Sequence, residues 1–152
     1  AVEHGLVLAC NEGAVMTVWF GHRYPSVEVW STSRVDQPWR VDDEGIDAVS
    51  DLLHAAHVAV SDDVPANEEW HYRPMGTGVT VPWRIILKLR ISTLAGFEGG
   101  TKIYANTISP AALAAMLLPK LFQARAAGRI APMDLGDECE IPRGALAATW
   151  VR

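Results

Sequence analysis

Two short segments of the chain carry the same four side-chain types beside predicted strand ends. Residues 21–25 read GHRYP and residues 70–74 read WHYRP, so each holds histidine, arginine, tyrosine and proline within five positions. A guanidinium group binds carboxylate or phosphate through paired hydrogen bonds, and histidine exchanges protons near neutral pH. If both segments meet at one edge of a sheet, they suit an anionic ligand, with His22 and His71 as acid–base candidates. The residues predicted to bind that ligand are Arg23, Tyr24, Tyr72 and Arg73.

The same residue types also have a purely structural interpretation. Aromatic and arginine side chains in loops often cover the ends of a small sheet through cation–π stacking. A basic strand face formed by Arg84, Lys88 and Arg90 could likewise meet an acidic partner. Cross-strand pairing with Glu28 and Glu98 is the interpretation that we favour for it. Both interpretations of the two segments stay open at this point.

The sequence offers only weak signals for a metal site or a nucleophile. His54 and His57 lie three residues apart on a predicted helix, but the chain has neither HExxH nor CxxC order, so we predict no metal site. Acidic residues surround Cys139 and no cation lies near Cys10 in sequence, which argues against a reactive thiolate at either. A disulfide between them could stabilise the fold, although free buried thiols are the preferred interpretation. No phosphate-binding glycine loop and no GxSxG elbow occurs, and we predict no cofactor.

Composition and charge narrow the class of protein. The 152 residues are 49% hydrophobic and 20% charged, which is typical of a single globular domain spanning residues 1–152. The net charge of −5 and the scattered basic residues disfavour nucleic acid as a partner. No segment reaches the roughly 20 consecutive apolar residues of a membrane span, and the first ten residues lack signal-peptide features. We therefore predict a soluble, cytoplasmic protein, with the prior removal of a signal left open.

Hydrophobic periodicity predicts the elements that position these residues. Strands are predicted at residues 14–20, 27–32, 79–91, 102–105 and 145–151. A first helix is predicted to begin at Asp42 or Asp43 and to end near His57. A second is predicted to begin at Ser109 and end at Gly128, and to be kinked or divided at Pro119. Residues 62–78 are predicted to form a long loop, the first place to look for a site. Hairpins alternating with helices predict an α+β fold, with a mainly antiparallel sheet of four to five strands and two helices packed on one face.

The predicted function depends in part on the tryptophans. The chain has six, and Trp39 and Trp70 fall in polar, proline-containing segments, so we predict that both are interface residues. Because no catalytic motif occurs, the favoured hypothesis is a non-catalytic interaction or assembly module. It would bind a protein partner or form a homo-oligomer, as an accessory or structural protein of a virus or mobile element does. The alternative is a small enzyme or binding protein for an anionic small molecule, built on the His22/Arg23 and His71/Arg73 segments.

Overall fold

The computed structural model describes residues 5–91, 96–104 and 106–140, and its centre is a six-stranded antiparallel sheet. The strands are β1 (Val7–Cys10), β2 (Ala14–Val18), β3 (Ser26–Ser31), β4 (Ala66–His71), β5 (Arg84–Leu89) and β6 (Asp134–Leu135). The helices are α1 (Asp43–Val60), α2 (Gly96–Thr101) and α3 (Pro110–Ala126). The strands lie in the order β4-β5-β3-β2-β1-β6. The predicted α+β class is confirmed, with six strands where four to five were expected.

The core lies between the sheet and the helices α1 and α3. Alternate residues of the strands face it, as at Met16 of β2, Val29 of β3 and Leu87 of β5. Leu52 of α1 and Leu121 of α3 are fully buried on the same side. Full burial of one such side chain stabilises the fold by about 1.5–3 kcal/mol, so this layer fixes which face of every strand points away from the helices.

The first helix begins as predicted but ends later. Asp42 caps it by accepting a hydrogen bond from the Gly45 backbone N–H at 3.0 Å. The prediction that it ends near His57 is wrong, because it continues to Val60, which the core buries. Ser61, with a φ of 86°, ends the helix there. The side chain of His57 is exposed.

The third helix runs unbroken through a proline. The predicted division at Pro119 is wrong: the position is exposed, and Leu117 and Leu121 on either side are buried against the core. Packing on both sides of the proline therefore outweighs the local loss of a backbone hydrogen bond. The predicted end is confirmed at Gly128, whose φ of 65° suits a glycine after a helix.

The start of α3 depends on one side chain. The Ser109 hydroxyl oxygen accepts a hydrogen bond from the Ala112 backbone N–H at 3.2 Å. We expect Ser109→Ala to lower the free energy of unfolding by about 1 kcal/mol, measured by urea denaturation. Ser109→Asp keeps a capping oxygen and should stay within about 0.5 kcal/mol of the wild type. Equal losses in both variants would contradict this role for Ser109.

The sequence predictions missed several short elements. The strand β4 lies inside the segment predicted as a loop, and β1 and β6 were not predicted. Residues 96–101 form the short helix α2, which was not predicted, and residues 102–104 of the predicted strand 102–105 form no strand. The predicted strand at residues 145–151 lies outside the described residues. Within the described ranges, no helix combines the length and the apolar character needed to cross a bilayer.

Candidate functional site

The face of the sheet that points away from α1 and α3 carries an ordered array of polar side chains, which we call the polar sheet face. Its residues lie in three rows that run across the strands, set by the strand register. The first row is Trp30, Arg84 and His71. The central row is Thr17, Glu28, Ile86 and Glu69. The third row is Ser26, Lys88 and Asn67. Two carboxylates therefore occupy the middle row, between cationic groups on both sides.

Glu28 is the hub of this face. It is 1% exposed, and a carboxylate that far from water requires partners. The Trp30 indole N–H donates to its Oε2 at 2.7 Å, and His22 Nε2 lies 2.8 Å from its Oε1. The Arg84 Nε lies 3.8 Å from the same Oε1. The predicted pairing of Arg84 with Glu28 is therefore present, and Glu28 also orients an imidazole.

Two buried polar atoms beside Glu28 have no hydrogen-bond partner within the described residues. The Arg84 guanidinium lies over the Trp30 ring, 4.4 Å from its centroid, and its buried Nε–H donates to no acceptor there. The Thr17 hydroxyl oxygen, opposite Glu28 in the register, is also unpartnered. Buried polar groups are rarely left unsatisfied, so each such group requires an explanation. Thr17 is 2% exposed, whereas the Arg84 side chain is 29% exposed, so of these two residues Arg84 is the one that a ligand can approach.

A second acid–base cluster occupies the β4 side of the face. Lys88 Nζ donates to Glu69 Oε1, and His71 Nε2 lies 3.4 Å from Glu69 Oε2. The hydrogen bond from Lys88 lowers the pKa of the Glu69 carboxyl below its ordinary value, and His71 adds to that decrease. All three side chains are partly exposed, so solvent reaches the cluster. Charged and protonatable groups thus continue from the buried Glu28 to the edge of the sheet.

The two segments singled out in the sequence do not meet at one edge. The Pro25 carbonyl accepts from the Leu89 N–H at the end of β5, whereas His71 pairs with Arg84 at its beginning. They therefore lie at opposite ends of the strand pair β3–β5. The His22 side chain nevertheless reaches Glu28, and His71 stands in the first row of the polar sheet face. The two histidines share a face of the sheet and not a loop cluster.

The predicted anion clamps make other contacts. The Arg23 guanidinium stacks on the Tyr104 ring, 3.5 Å from its centroid. Arg73 forms an ion pair with Asp36, with Nε 3.2 Å from Oδ2. The Tyr24 carbonyl oxygen accepts from the Ser26 hydroxyl. These contacts favour the alternative that arginine and aromatic side chains cover the sheet ends.

The aromatic residues predicted at an interface are exposed. Trp39 is 63% exposed and contacts the Tyr72 ring edge-on, with centroids 5.1 Å apart. Trp70 is 50% exposed and stacks on the buried Trp83, with centroids 5.8 Å apart. A neighbouring ring therefore contacts one side of each exposed indole. Their participation in an interface stays a prediction.

Sequence analysis identified the basic residues of the polar sheet face but not its centre. Arg84 and Lys88 were assigned to one strand face, and Glu28 entered only as a pairing partner. Glu69 was overlooked because β4 was predicted to be a loop. The alternation of Asn67, Glu69 and His71 is the signal that could have revealed a strand with one polar face.

A shallow groove lies at the other edge of the sheet, by β1 and β6. It has a volume of about 920 Å³ and is lined by residues that include Cys10, Glu12, Arg125, Asp134 and Glu140. The lining is acidic, which disfavours an anionic ligand. In the described part of the chain, no three His, Cys, Asp or Glu side chains are arranged to hold a metal ion.

An ion pair beside this groove lowers the pKa of the Glu138 carboxyl. The Arg125 guanidinium donates two hydrogen bonds to Glu138, and the Leu135 N–H donates a third. These bonds lower the pKa of Glu138 from 4.5 to about 2. Because the folded-state pKa is the lower one, the stabilisation is complete above about pH 4.5 and is lost as the pH falls through about 2.

NMR titration of the Glu138 carboxyl measures this shift. We expect a midpoint near 2 in the wild type and a return toward 4.5 in Arg125→Gln. The variant Arg129→Gln removes a neighbouring charge that does not contact Glu138 and should leave the midpoint unchanged. A wild-type midpoint near 4.5 would contradict the predicted bidentate pair.

Several solved structures share this fold. The chain is similar to a uridylyltransferase mutant, with a TM-score of 0.66 and 17% identity over 79% of this chain and 44% of that chain. It is similar to a second uridylyltransferase structure, with a TM-score of 0.65 and 17% identity over 78% and 42%. It is also similar to an ADP-glucose phosphorylase from Arabidopsis thaliana with bound ADP-glucose, with a TM-score of 0.68 and 20% identity over 76% and 40%. The chain spans about two fifths of the length of these proteins.

These likenesses correct the predicted function. The favoured hypothesis of a non-catalytic interaction module or structural protein is wrong, because the fold matches are to a transferase and a phosphorylase. The alternative of a small enzyme or binding protein for an anionic small molecule fits these matches better.

Two further comparisons place the chain among known sequences. No curated protein matches it. A family model does match, over residues 1–148, which is nearly the whole chain. The chain belongs to that family, described as a domain of unknown function (DUF4921).

Proposed function

We propose that this domain is part of an enzyme acting on a phosphate-bearing small molecule of the nucleotide-sugar class, and that the polar sheet face binds the molecule. The single observation that carries the proposal is the Arg84 guanidinium beside the buried Glu28. Trp30 supports its plane, and its buried Nε–H has no partner among the described residues. A fixed guanidinium with an unused donor suits a phosphate oxygen, since its planar fork matches phosphate geometry.

Lys88 would supply the second positive charge. It stands four positions from Arg84 on the same face of β5, so the two Cα atoms are roughly 13 Å apart along the strand. Both side chains are long enough to reach from the outer rows toward the central row of the polar sheet face. The ion pair of Arg84 with Glu28 and the hydrogen bond of Lys88 to Glu69 hold the two cations in place until a ligand competes for them.

His22 is the proposed proton-transfer group. Its Nε2 is 2.8 Å from Glu28 Oε1, so the carboxylate orients the imidazole. The side chain is 16% exposed, which shields it from bulk water without closing it off from a ligand. His71, more exposed and bonded to Glu69, is the second candidate.

The fold matches support the substrate class. One similar structure contains bound ADP-glucose, and others are of uridylyltransferase. These proteins share the fold at low identity, so the proposal for this chain depends on its own residues. The acidic groove by β1 and β6 offers no comparable unpartnered donor among the described residues, and we therefore assign the ligand to the polar sheet face.

Calorimetric titration with ADP-glucose tests the proposal, with glucose and adenosine as phosphate-free probes. We expect ADP-glucose to bind, the other two not to bind, and affinity to fall with added salt. Arg84→Met should weaken binding by about 10- to 150-fold, the loss of a charge-assisted hydrogen bond. Lys120→Met, a charge removal on α3, should leave affinity unchanged. Equal binding by Arg84→Met and the wild type would overturn the assignment.

A further inference from the structure

The two cysteines of the chain, 129 positions apart in sequence, lie side by side in the structure. Cys10 is the last residue of β1 and packs with Val7 and Val15 into a small buried cluster. Cys139 follows the short 3-10 helix Gly136–Glu138 and packs against the same cluster. The two side chains therefore pack in one cluster, and neither is in a disulfide.

Backbone contacts hold both cysteines in this arrangement. Cys10 pairs with Asp134 of β6 in the strand register, and the Cys139 thiol donates to the Asp134 carbonyl oxygen at 3.3 Å. The Cys139 backbone N–H bonds to the Gly136 carbonyl oxygen, which fixes the turn that brings the thiol back to the sheet. Glu138, bound by Arg125, anchors the same turn to α3. The contact between the thiols is therefore built by the fold.

We propose that Cys10 and Cys139 form a reversible intramolecular disulfide by exchange with a small-molecule disulfide. Cys10 lines the shallow groove by β1 and β6, so a reagent such as oxidised glutathione reaches it from solvent. One thiolate attacks a glutathione sulfur, forming a mixed disulfide and releasing one glutathione thiolate. The second cysteine thiolate then displaces the other glutathione. The two protons lost by the cysteines end on the two released glutathiones, and oxidised glutathione takes the electrons.

The exchange should be slow in the folded chain. Burial raises the pKa of both thiols above the ordinary value, and the Asp134 carboxylate adds to the increase. Thiolate is the attacking species, so its low population limits the rate but leaves the equilibrium unchanged. The reaction must therefore be followed to completion.

Equilibration in glutathione buffers tests the proposal directly. The chain is incubated across a range of oxidised-to-reduced ratios, folded or in urea, and free thiols are then trapped by alkylation and counted by mass spectrometry. We expect the folded chain to form the disulfide in buffers about 30- to 1,000-fold less oxidising than the unfolded chain needs. That range corresponds to the roughly 2–4 kcal/mol by which a native disulfide stabilises a fold. The thermal unfolding midpoint of this chain should rise by roughly 5–15 °C when the disulfide forms.

The sequence makes the result unambiguous. Only two cysteines are present, so a monomer that loses two hydrogen atoms must contain the Cys10–Cys139 bond. Cys139→Ala, at the less buried position, should form only a glutathione adduct and show no rise in midpoint. A folded wild-type chain that needs buffers as oxidising as the unfolded chain would overturn the proposal. Stable glutathione adducts on the folded wild type would do so too.

Discussion

Replacing Glu28 with alanine is expected to lower the free energy of unfolding by about 3–5 kcal/mol. The substitution leaves the Trp30 N–H without its buried acceptor, removes the carboxylate that forms an ion pair with Arg84, and removes the partner of His22. An unpaired buried charge or donor costs far more than an exposed one. A typical domain has only about 5–15 kcal/mol of stability, so this variant should unfold at much lower denaturant concentration.

The matched control lies in the same row of the sheet. Glu69 also binds a cation and a histidine, but its side chain is 42% exposed, against 2% for Glu28. Surface ion pairs contribute at most about 1 kcal/mol, so Glu69→Ala should shift the urea midpoint only slightly. If Glu28→Ala proved as mild as Glu69→Ala, the buried hub described for this face would be refuted.

Replacing Trp83 with alanine is expected to cost about 3–5 kcal/mol as well, for a different reason. Trp83 is 1% exposed and is the largest fully buried side chain in the described part of the chain. Its loss leaves a cavity under Trp70, which stacks on it. Trp83→Phe should cost only about 1–2 kcal/mol. The indole N–H is buried without a partner among the described residues, so removing it relieves an unsatisfied donor and offsets part of the lost packing.

Trp70 supplies the comparison for this prediction. It contributes the other ring of the stacked pair but is half exposed. Trp70→Ala should therefore cost about 0.5–1.5 kcal/mol, the range for an aromatic pair. Urea denaturation of the three variants measures all these values. Equal losses in Trp83→Phe and Trp83→Ala would show that the indole N–H has a partner.

The helix starts and the central hairpin could be predicted because local chemistry determines them. Asp42 and Ser109 each cap a helix through a backbone N–H within the first turn. The strands β2 and β3 follow each other along the chain and pair directly, so a short stretch of sequence shows the pattern of both. The end of α1 and the intact α3 could not be predicted in this way. Both depend on the core, which buries Val60 and the leucines around Pro119.

The candidate site was only partly predictable for a similar reason. The sequence indicated that His22, His71, Arg84 and Lys88 could do chemistry. It could not show that Glu28 joins two of them, because that contact depends on strand register and on the turn that returns His22 to β3. Edge strands such as β4 carry few apolar residues, so hydrophobic periodicity does not detect them.

The measurement that tests the central claim most directly is NMR observation of the Arg84 Nε–H during titration with ADP-glucose. The account predicts that this resonance shifts in step with binding, with shifts concentrated on β3, β4 and β5 and little change at Arg125 in the groove. A titration that leaves the Arg84 resonance in place while ADP-glucose binds elsewhere would contradict the proposed site.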